Sequence, residues 1–178
     1  MDEREELKKI LKEKSVLKGE FTLVSGKKSN VYVNGKLTTL NSRGLYLSAS
    51  IFLNMFEGLE YEAFAGPSIG ADPIIGALLT LSALKGTSKE GLLIRKEPKG
   101  HGTKSIIEGN IKEGMRVILL EDVTTTGGSL LRSADAVTSA GGIITAIFAI
   151  VDREEGAVER FAEAGYKFSS IFKLSELL

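Results

Sequence analysis

In VILLEDVTTTGGS, residues 117–129, four apolar residues run into two adjacent acids and then into a loop of hydroxyls and glycines. Ionised carboxylates such as Glu121 and Asp122 accept hydrogen bonds and donate none, so hydroxyl groups are their natural partners. Small flexible residues leading into a helix expose backbone amides that cradle a phosphate. Gly127 and Gly128 allow close backbone approach, and Thr124, Thr125, Thr126 and Ser129 add donors. The acids would repel a phosphate, so they must face another part of the same ligand. A phosphorylated ribose, with vicinal hydroxyls at one end and an anion at the other, satisfies both halves. A solvated strand end followed by an ordinary Thr/Gly turn would explain either half alone, but the uninterrupted run favours a site. The stretch is neither GxxxxGK[ST] nor GxGxxG, which excludes both common nucleotide fingerprints here.

Composition narrows the setting. The chain has 178 residues, 43% hydrophobic and 26% charged, which suits one soluble globular domain with its own core. Lys plus Arg and Asp plus Glu number 23 each, so the broad positive field of a nucleic-acid binder is missing and no nucleic-acid partner is expected. There is no cysteine, which excludes disulfides, thiolate metal sites and cysteine nucleophiles. The start, MDEREELKKILKEK, lacks a signal-type apolar stretch, and no apolar run approaches membrane-spanning length. A cytoplasmic protein without membrane contact is expected.

The elements that must carry the motif follow from periodicity. Leu7, Ile10, Leu11 and Leu17 recur at helical spacing on a charged background, giving an amphipathic helix over about residues 3–14. Residues 21–34 alternate around Ser25 and Gly26 as a hairpin. A helix follows over 42–56, with Ser42 as its cap. From there strand and helix alternate: YEAFAG, a helix opened by Asp72 and Pro73 and running to Lys85, GLLIR, and a polar loop over 96–105. Then come MRVILLEDV, a helix over 129–140, IITAIFAIVDR, a helix over 154–164, the edge strand YKFSSIF, and a last turn in KLSELL. This order implies an α/β fold, an open and mostly parallel twisted sheet flanked by helices. Ligands of such sheets bind beyond the carboxyl ends of the strands, where Glu121 and Asp122 fall.

With its apolar strand, acid pair and Thr/Gly loop, the 117–129 stretch closely resembles the ribose-phosphate signature of type I phosphoribosyltransferases. The resemblance implies that Glu121 and Asp122 hold the ribose of 5-phosphoribosyl 1-diphosphate, while Val123 and the loop from Thr124 through Ser129 hold its 5′-phosphate. RKEPKGHGTKSIIEG, residues 95–109, is similar to the mobile catalytic loop of orotate phosphoribosyltransferases, R-K-E-x-K-D-H-G. That likeness gives Arg95, Lys96, Lys99 and the chain's single histidine, His101, to the diphosphate, with Lys99, His101 and Asp122 as catalytic residues. Clamping a departing polyanion calls for such cations, and Gly100 and Gly102 suit a lid. Gly100 stands where many members have Asp.

Three more stretches agree. GEFTLVSGKKSNVYVNG resembles the family's N-terminal hairpin, with Val24 where many members carry Lys. GPSIGADP resembles its pyrophosphate loop, with Gly70 where many carry Lys. In VDR, Arg153 matches the arginine that contacts orotate, whose carboxylate a guanidinium can meet in bidentate fashion. Thr125 would also touch the base. Taken together, the likeness implies one phosphoribosyltransferase domain over 1–178, with an N-terminal helix/hairpin hood (1–40) over an α/β core (41–178). It also implies Mg²⁺ bound mainly through the substrate diphosphate, no metal site of the protein's own, and a homodimer with shared active sites. Two alternatives remain at this point: a purine phosphoribosyltransferase, and a regulator of the same fold that senses the ribosyl diphosphate.

Overall fold

The computed structural model describes residues 2–22, 28–97 and 105–178. The expected turn at Ser25 and Gly26, together with Val24, Lys99, Gly100, His101 and Gly102, lies outside the described residues. The chain opens with α1 (Glu3–Ile10), which continues as a π-helical turn (Leu11–Ser15) into the antiparallel hairpin β1 (Val16–Thr22) and β2 (Lys28–Val33). The short α2 (Lys36–Thr39) and long α3 (Ser42–Met55) lead to β3 (Ala63–Pro67), α4 (Asp72–Leu84), β4 (Glu90–Ile94) and β5 (Ile107–Glu108). After these come β6 (Arg116–Thr124), α5 (Gly128–Ser139), β7 (Ile143–Asp152), α6 (Ala157–Glu163), β8 (Phe168–Lys173) and a closing 3-10 turn (Leu174–Glu176).

Among the described residues the main sheet has the order β5-β4-β3-β6-β7-β8, parallel throughout except for the antiparallel edge pair β4 and β5. The expected open, mostly parallel sheet is therefore present. From β3 the chain builds outward to β4 and β5, then crosses back to lay β6 on the other side of β3. The direction of winding reverses between β3 and β6, the point of such sheets beyond whose carboxyl strand ends ligands bind.

Side chains alternate across a strand, and β6 shows what that does here. Ile118 and Leu120 enter one core with Phe52, Phe56, Phe64 and Phe148, together with Leu7 and Leu11 of the N-terminal helix. Val117 and Leu119 enter the opposite core with Leu130, Val137, Ile147 and Phe161. The same alternation, continued for two residues, sends Glu121 and Asp122 to opposite faces of the sheet.

Several boundaries depart from expectation. The helix read over 3–14 becomes π-helical at Leu11 and ends at Ser15, so Leu17 lies in β1 and is 37% exposed rather than packed in the core. The Ser15 carbonyl is taken by Asn34 N at 2.9 Å and its hydroxyl by Thr38 Oγ1 at 2.7 Å, which turns the backbone from helix to hairpin. The hairpin accordingly starts at Val16 rather than residue 21. Asn41, not Ser42, caps α3, its side chain accepting from Gly44 N at 3.1 Å. Asp72 sits inside the first turn of α4 and accepts from Ser68 Oγ. The last long helix starts at Ala157 rather than residue 154. Asp152 Oδ1 accepts from Glu154 N, and Glu154 adopts a left-handed φ of 60°, so residues 154–156 form a turn. The short α2 and β5 were not foreseen.

Candidate active site

Four loops leave the carboxyl ends of adjacent parallel strands: Arg95 after β4, residues 68–71 after β3, residues 121–129 at the end of β6, and Arg153 after β7. The described candidates are thus gathered at one end of one sheet, although they are spread from residue 68 to residue 153 of the chain.

The phosphate-loop candidate begins with Gly127, the cap of α5, at φ 74°. A β-carbon there would meet the Phe161 ring at 2.6 Å, so both conformation and packing call for glycine. The first intrahelical bond runs from Leu131 N to Gly127 O. The amides of Gly128, Ser129 and Leu130 therefore precede the helical ladder and point out of its positive end. Arg160 Nη1 donates to Thr126 O at 3.0 Å, tying α6 to this loop. Arg132 and Arg160 both bring a terminal nitrogen beside Gly128, within 4 Å of where its β-carbon would stand. Neither arginine was singled out in the sequence, because one is simply a helix-face charge and the other comes from a different helix.

Glu121 lies on the α5 side of the sheet. Ser129 Oγ is 2.8 Å from each of its carboxylate oxygens. Burial pushes the Glu121 carboxyl up to about 7; the Ser129 bond opposes this, Asp122 reinforces it, and Arg132 and Lys36 oppose it. The Ser129 hydroxyl, expected to reach a phosphate, is thus committed to the acid eight residues earlier, because the first turn of α5 folds back over the end of β6. Its backbone amide stays at the open N-terminus of α5. Thr124 is buried at 1% exposure with no partner for Oγ1 among the described residues. Thr125 and Thr126 are partly exposed.

Asp122 lies on the hood side, at 7% exposure. A β-carbon on Gly35 would come within 2.6 Å of its Oδ2, and one on Gly70 within 2.5 Å of its Oδ1. The carboxylate is therefore seated between two glycines, one after the hairpin and one in the loop after β3. Burial raises its carboxyl above the ordinary range, opposed by the Lys36 charge and by the Val123 amide, which donates to Oδ1 at 2.9 Å. Lys36 is the cation that bears on both acids. It was missed because nothing in the local pattern around NGKL marks it.

Arg153 is 6% exposed. Its Nε donates to Glu155 Oε1 at 2.9 Å, and both terminal nitrogens lie 3.4 Å from the Val31 carbonyl of β2. Its backbone amide donates to Thr124 O at 3.0 Å, which locks the ends of β6 and β7 together. Arg95 faces its own hairpin and pairs with Glu108 at 3.3 Å, and Lys96 is exposed. Lys99 and His101 lie outside the described residues. Among the described residues no group of three or more His, Asp or Glu could hold a metal ion.

No protein-family model matches the chain. Individual relatives do. The orotate phosphoribosyltransferase of Thermococcus gammatolerans is 44% identical over 172 residues, spanning 96% of this chain and 88% of its own. Among solved structures, Mycobacterium tuberculosis orotate phosphoribosyltransferase in complex with Fe(III) dicitrate superposes with a TM-score of 0.87 at 32% identity, covering 98% of both chains. The same enzyme in complex with 5-phospho-α-D-ribosyl 1-diphosphate gives 0.82 at 30% identity, again over 98% of both chains.

Proposed function

Since the chain belongs to the orotate phosphoribosyltransferase family, we propose that it transfers the 5-phosphoribosyl group from 5-phosphoribosyl 1-diphosphate to orotate. The products are orotidine 5′-monophosphate and diphosphate, in pyrimidine nucleotide synthesis. The observation that carries this reading is the end of β6: an acid on each face of the sheet, followed at once by an open helix N-terminus, all at the winding reversal.

In this reading the amides of Gly128 and Ser129 take the 5′-phosphate, within a loop formed by Val123, Thr124, Thr125, Thr126 and Gly127. Glu121 and Asp122 accept from the ribose hydroxyls, and Thr125 lies against the base. Arg153 pairs with the orotate carboxylate. Arg95, Lys96, Lys99 and His101 stabilise the departing diphosphate. A ring nitrogen of orotate forms its bond to the anomeric carbon as the bond from that carbon to the diphosphate oxygen breaks. Positive charge on the ribose ring develops beside the two acids. Catalysis is positioning and electrostatics, without a covalent intermediate on the protein.

Mg²⁺ would be held mainly through the diphosphate of the substrate, where it would supply charge neutralisation for the leaving group. The chain works as one domain, with residues 1–40 as a hood, and as a homodimer whose lids serve the neighbouring sites. No described helix is long and apolar enough to cross a membrane, and the proposed working compartment is the cytoplasm.

The test is base choice. Orotate, uracil, adenine and hypoxanthine are each incubated with the ribosyl diphosphate and Mg²⁺. Orotate alone should be consumed efficiently, and uracil should be worse by roughly tenfold or more, because a charge-assisted contact is lost. Comparable kcat/KM for uracil would remove Arg153 from the site. Consumption of a purine would overturn the reading.

A further inference from the structure

We propose that Glu155 is the positioning residue for Arg153 and that the Val31 carbonyl holds the place the substrate carboxylate takes. This rests on the reading of Arg153 as the partner of orotate.

A guanidinium presents two edges at which a carboxylate can be met by two parallel N–H donors. In Arg153 both are occupied. Glu155 Oε1 sits on the Nε side at 2.9 Å, and the Val31 carbonyl faces the two terminal nitrogens at 3.4 Å each. These occupants are unequal. The Glu155 contact is an ion pair of ordinary hydrogen-bond length, between side chains 5% and 19% exposed. The Val31 contact is long, shared and to a neutral acceptor. Val31 O also accepts from Ser29 Oγ at 2.8 Å, so it stays satisfied if Arg153 leaves it. An arriving carboxylate therefore displaces the carbonyl and leaves Glu155 in place.

Glu155 is itself fixed by the turn that ends β7. Asp152 Oδ1 holds the Glu154 amide at 2.9 Å, and the Glu154 carboxylate accepts from Ser175 N at 2.9 Å. The turn thus aims residue 155 back at residue 153. Without the Glu155 charge, a nearly buried guanidinium loses the contact that fixes its rotation, and its terminal nitrogens no longer wait at one angle. Val31 lies on the hood hairpin, so the hood and the base site are read by the same arginine.

The experiment compares wild type, Glu155→Ala, Glu155→Gln, Arg153→Lys and the double variant Arg153→Lys/Glu155→Ala, each first checked for folding by thermal melt. Glu155→Ala should raise the KM for orotate about tenfold, with kcat and the KM for the ribosyl diphosphate within about twofold. Glu155→Gln keeps an acceptor and should fall between, and it answers the question if the alanine variant does not fold. In the Arg153→Lys background, which has no Nε donor, Glu155→Ala should add nothing. An equal effect of Glu155→Ala in both backgrounds would make its role structural and overturn the proposal. So would an unchanged orotate KM in Glu155→Ala while Arg153→Lys raises it, and there the Arg153 reading itself would stand. An unchanged orotate KM in Arg153→Lys would remove both.

Discussion

Ser129 and Glu121 are joined by a hydroxyl that lies 2.8 Å from both carboxylate oxygens, so the first turn of α5 is tied to the acid near the end of the central strand β6. The bond stabilises the ionised carboxylate against the burial that pushes it up to about 7. Binding of ribose hydroxyls needs the ionised, acceptor-only form. The kcat/KM for the ribosyl diphosphate should therefore rise with pH through about 7, since this ratio reports ionisation in the free enzyme. In Ser129→Ala, which removes an influence that lowers the Glu121 value, the inflection should move to higher pH. A profile unmoved by this substitution would detach Glu121 from the titration.

The same group makes a stability prediction of definite sign. Glu121 is raised from 4.5 to about 7 on folding, so between those values the folded chain holds more protons than the unfolded one. Its contribution is fully present below pH 4.5 and is lost as pH rises through 7. Glu121→Gln cannot ionise and should be more stable than wild type above pH 7. At about 1.4 kcal/mol per pH unit the gain is at most on the order of 3 kcal/mol. Urea midpoints of the two proteins at pH 5 and pH 8 measure it. Equal differences at both values would contradict the assignment.

The seat of Asp122 predicts an effect from a residue with no side chain. Gly70→Ala would set a methyl 2.5 Å from Oδ1, and the carboxylate must move. Misplacing a catalytic group by about 1 Å can cost on the order of a hundredfold, so kcat/KM should fall by roughly tenfold or more while the melting temperature changes little. Retained activity would show that the observed position of Asp122 is immaterial to turnover.

Arg160 makes a milder case. Its bond to Thr126 O steadies the loop from an exposed position, and its charge lies beside Gly128 at the proposed phosphate site. Arg160→Ala should raise the KM for the ribosyl diphosphate by roughly two- to fivefold and leave the orotate KM unchanged, as fits a solvent-screened contact. Adding salt to wild type should shift its KM in the same direction.

What could be read in the sequence was whatever has a short-range cause. The apolar run ending in Glu121 and Asp122 implied a buried strand with its ligand end marked, and the α/β order implied where that end must lie. The alternation that separates the two acids onto opposite faces was also legible in VILLED, by counting, though it was read there only as a pair. Contacts made across the fold were not legible. Lys36 bears on both acids from after the hairpin, Arg160 reaches the loop from a different helix, and Gly35 and Gly70 meet around Asp122 from either side of it. The element boundaries that slipped did so where a backbone group found a distant partner. Asn34 took the Ser15 carbonyl, and Asp152 took the Glu154 amide.

The proposed homodimer with shared sites yields the last prediction. If the lid carrying Arg95, Lys96, Lys99 and His101 serves the neighbouring site, Lys99→Ala and Asp122→Asn damage different subunits' contributions to one centre. Each variant alone should be nearly inactive, Asp122→Asn because an amide presents a donor where a hydroxyl needs an acceptor. In a mixed dimer one site receives both defects and the other receives neither. Random exchange makes about half the dimers mixed, and one intact site in each of these restores about a quarter of wild-type activity. A lid acting on its own chain leaves one defect in every site, whatever the mixing. The measurement is activity after co-refolding the two variants, against each refolded alone, with mixed dimers verified by differential tags. Absence of recovery in verified mixed dimers would assign the lid to its own subunit.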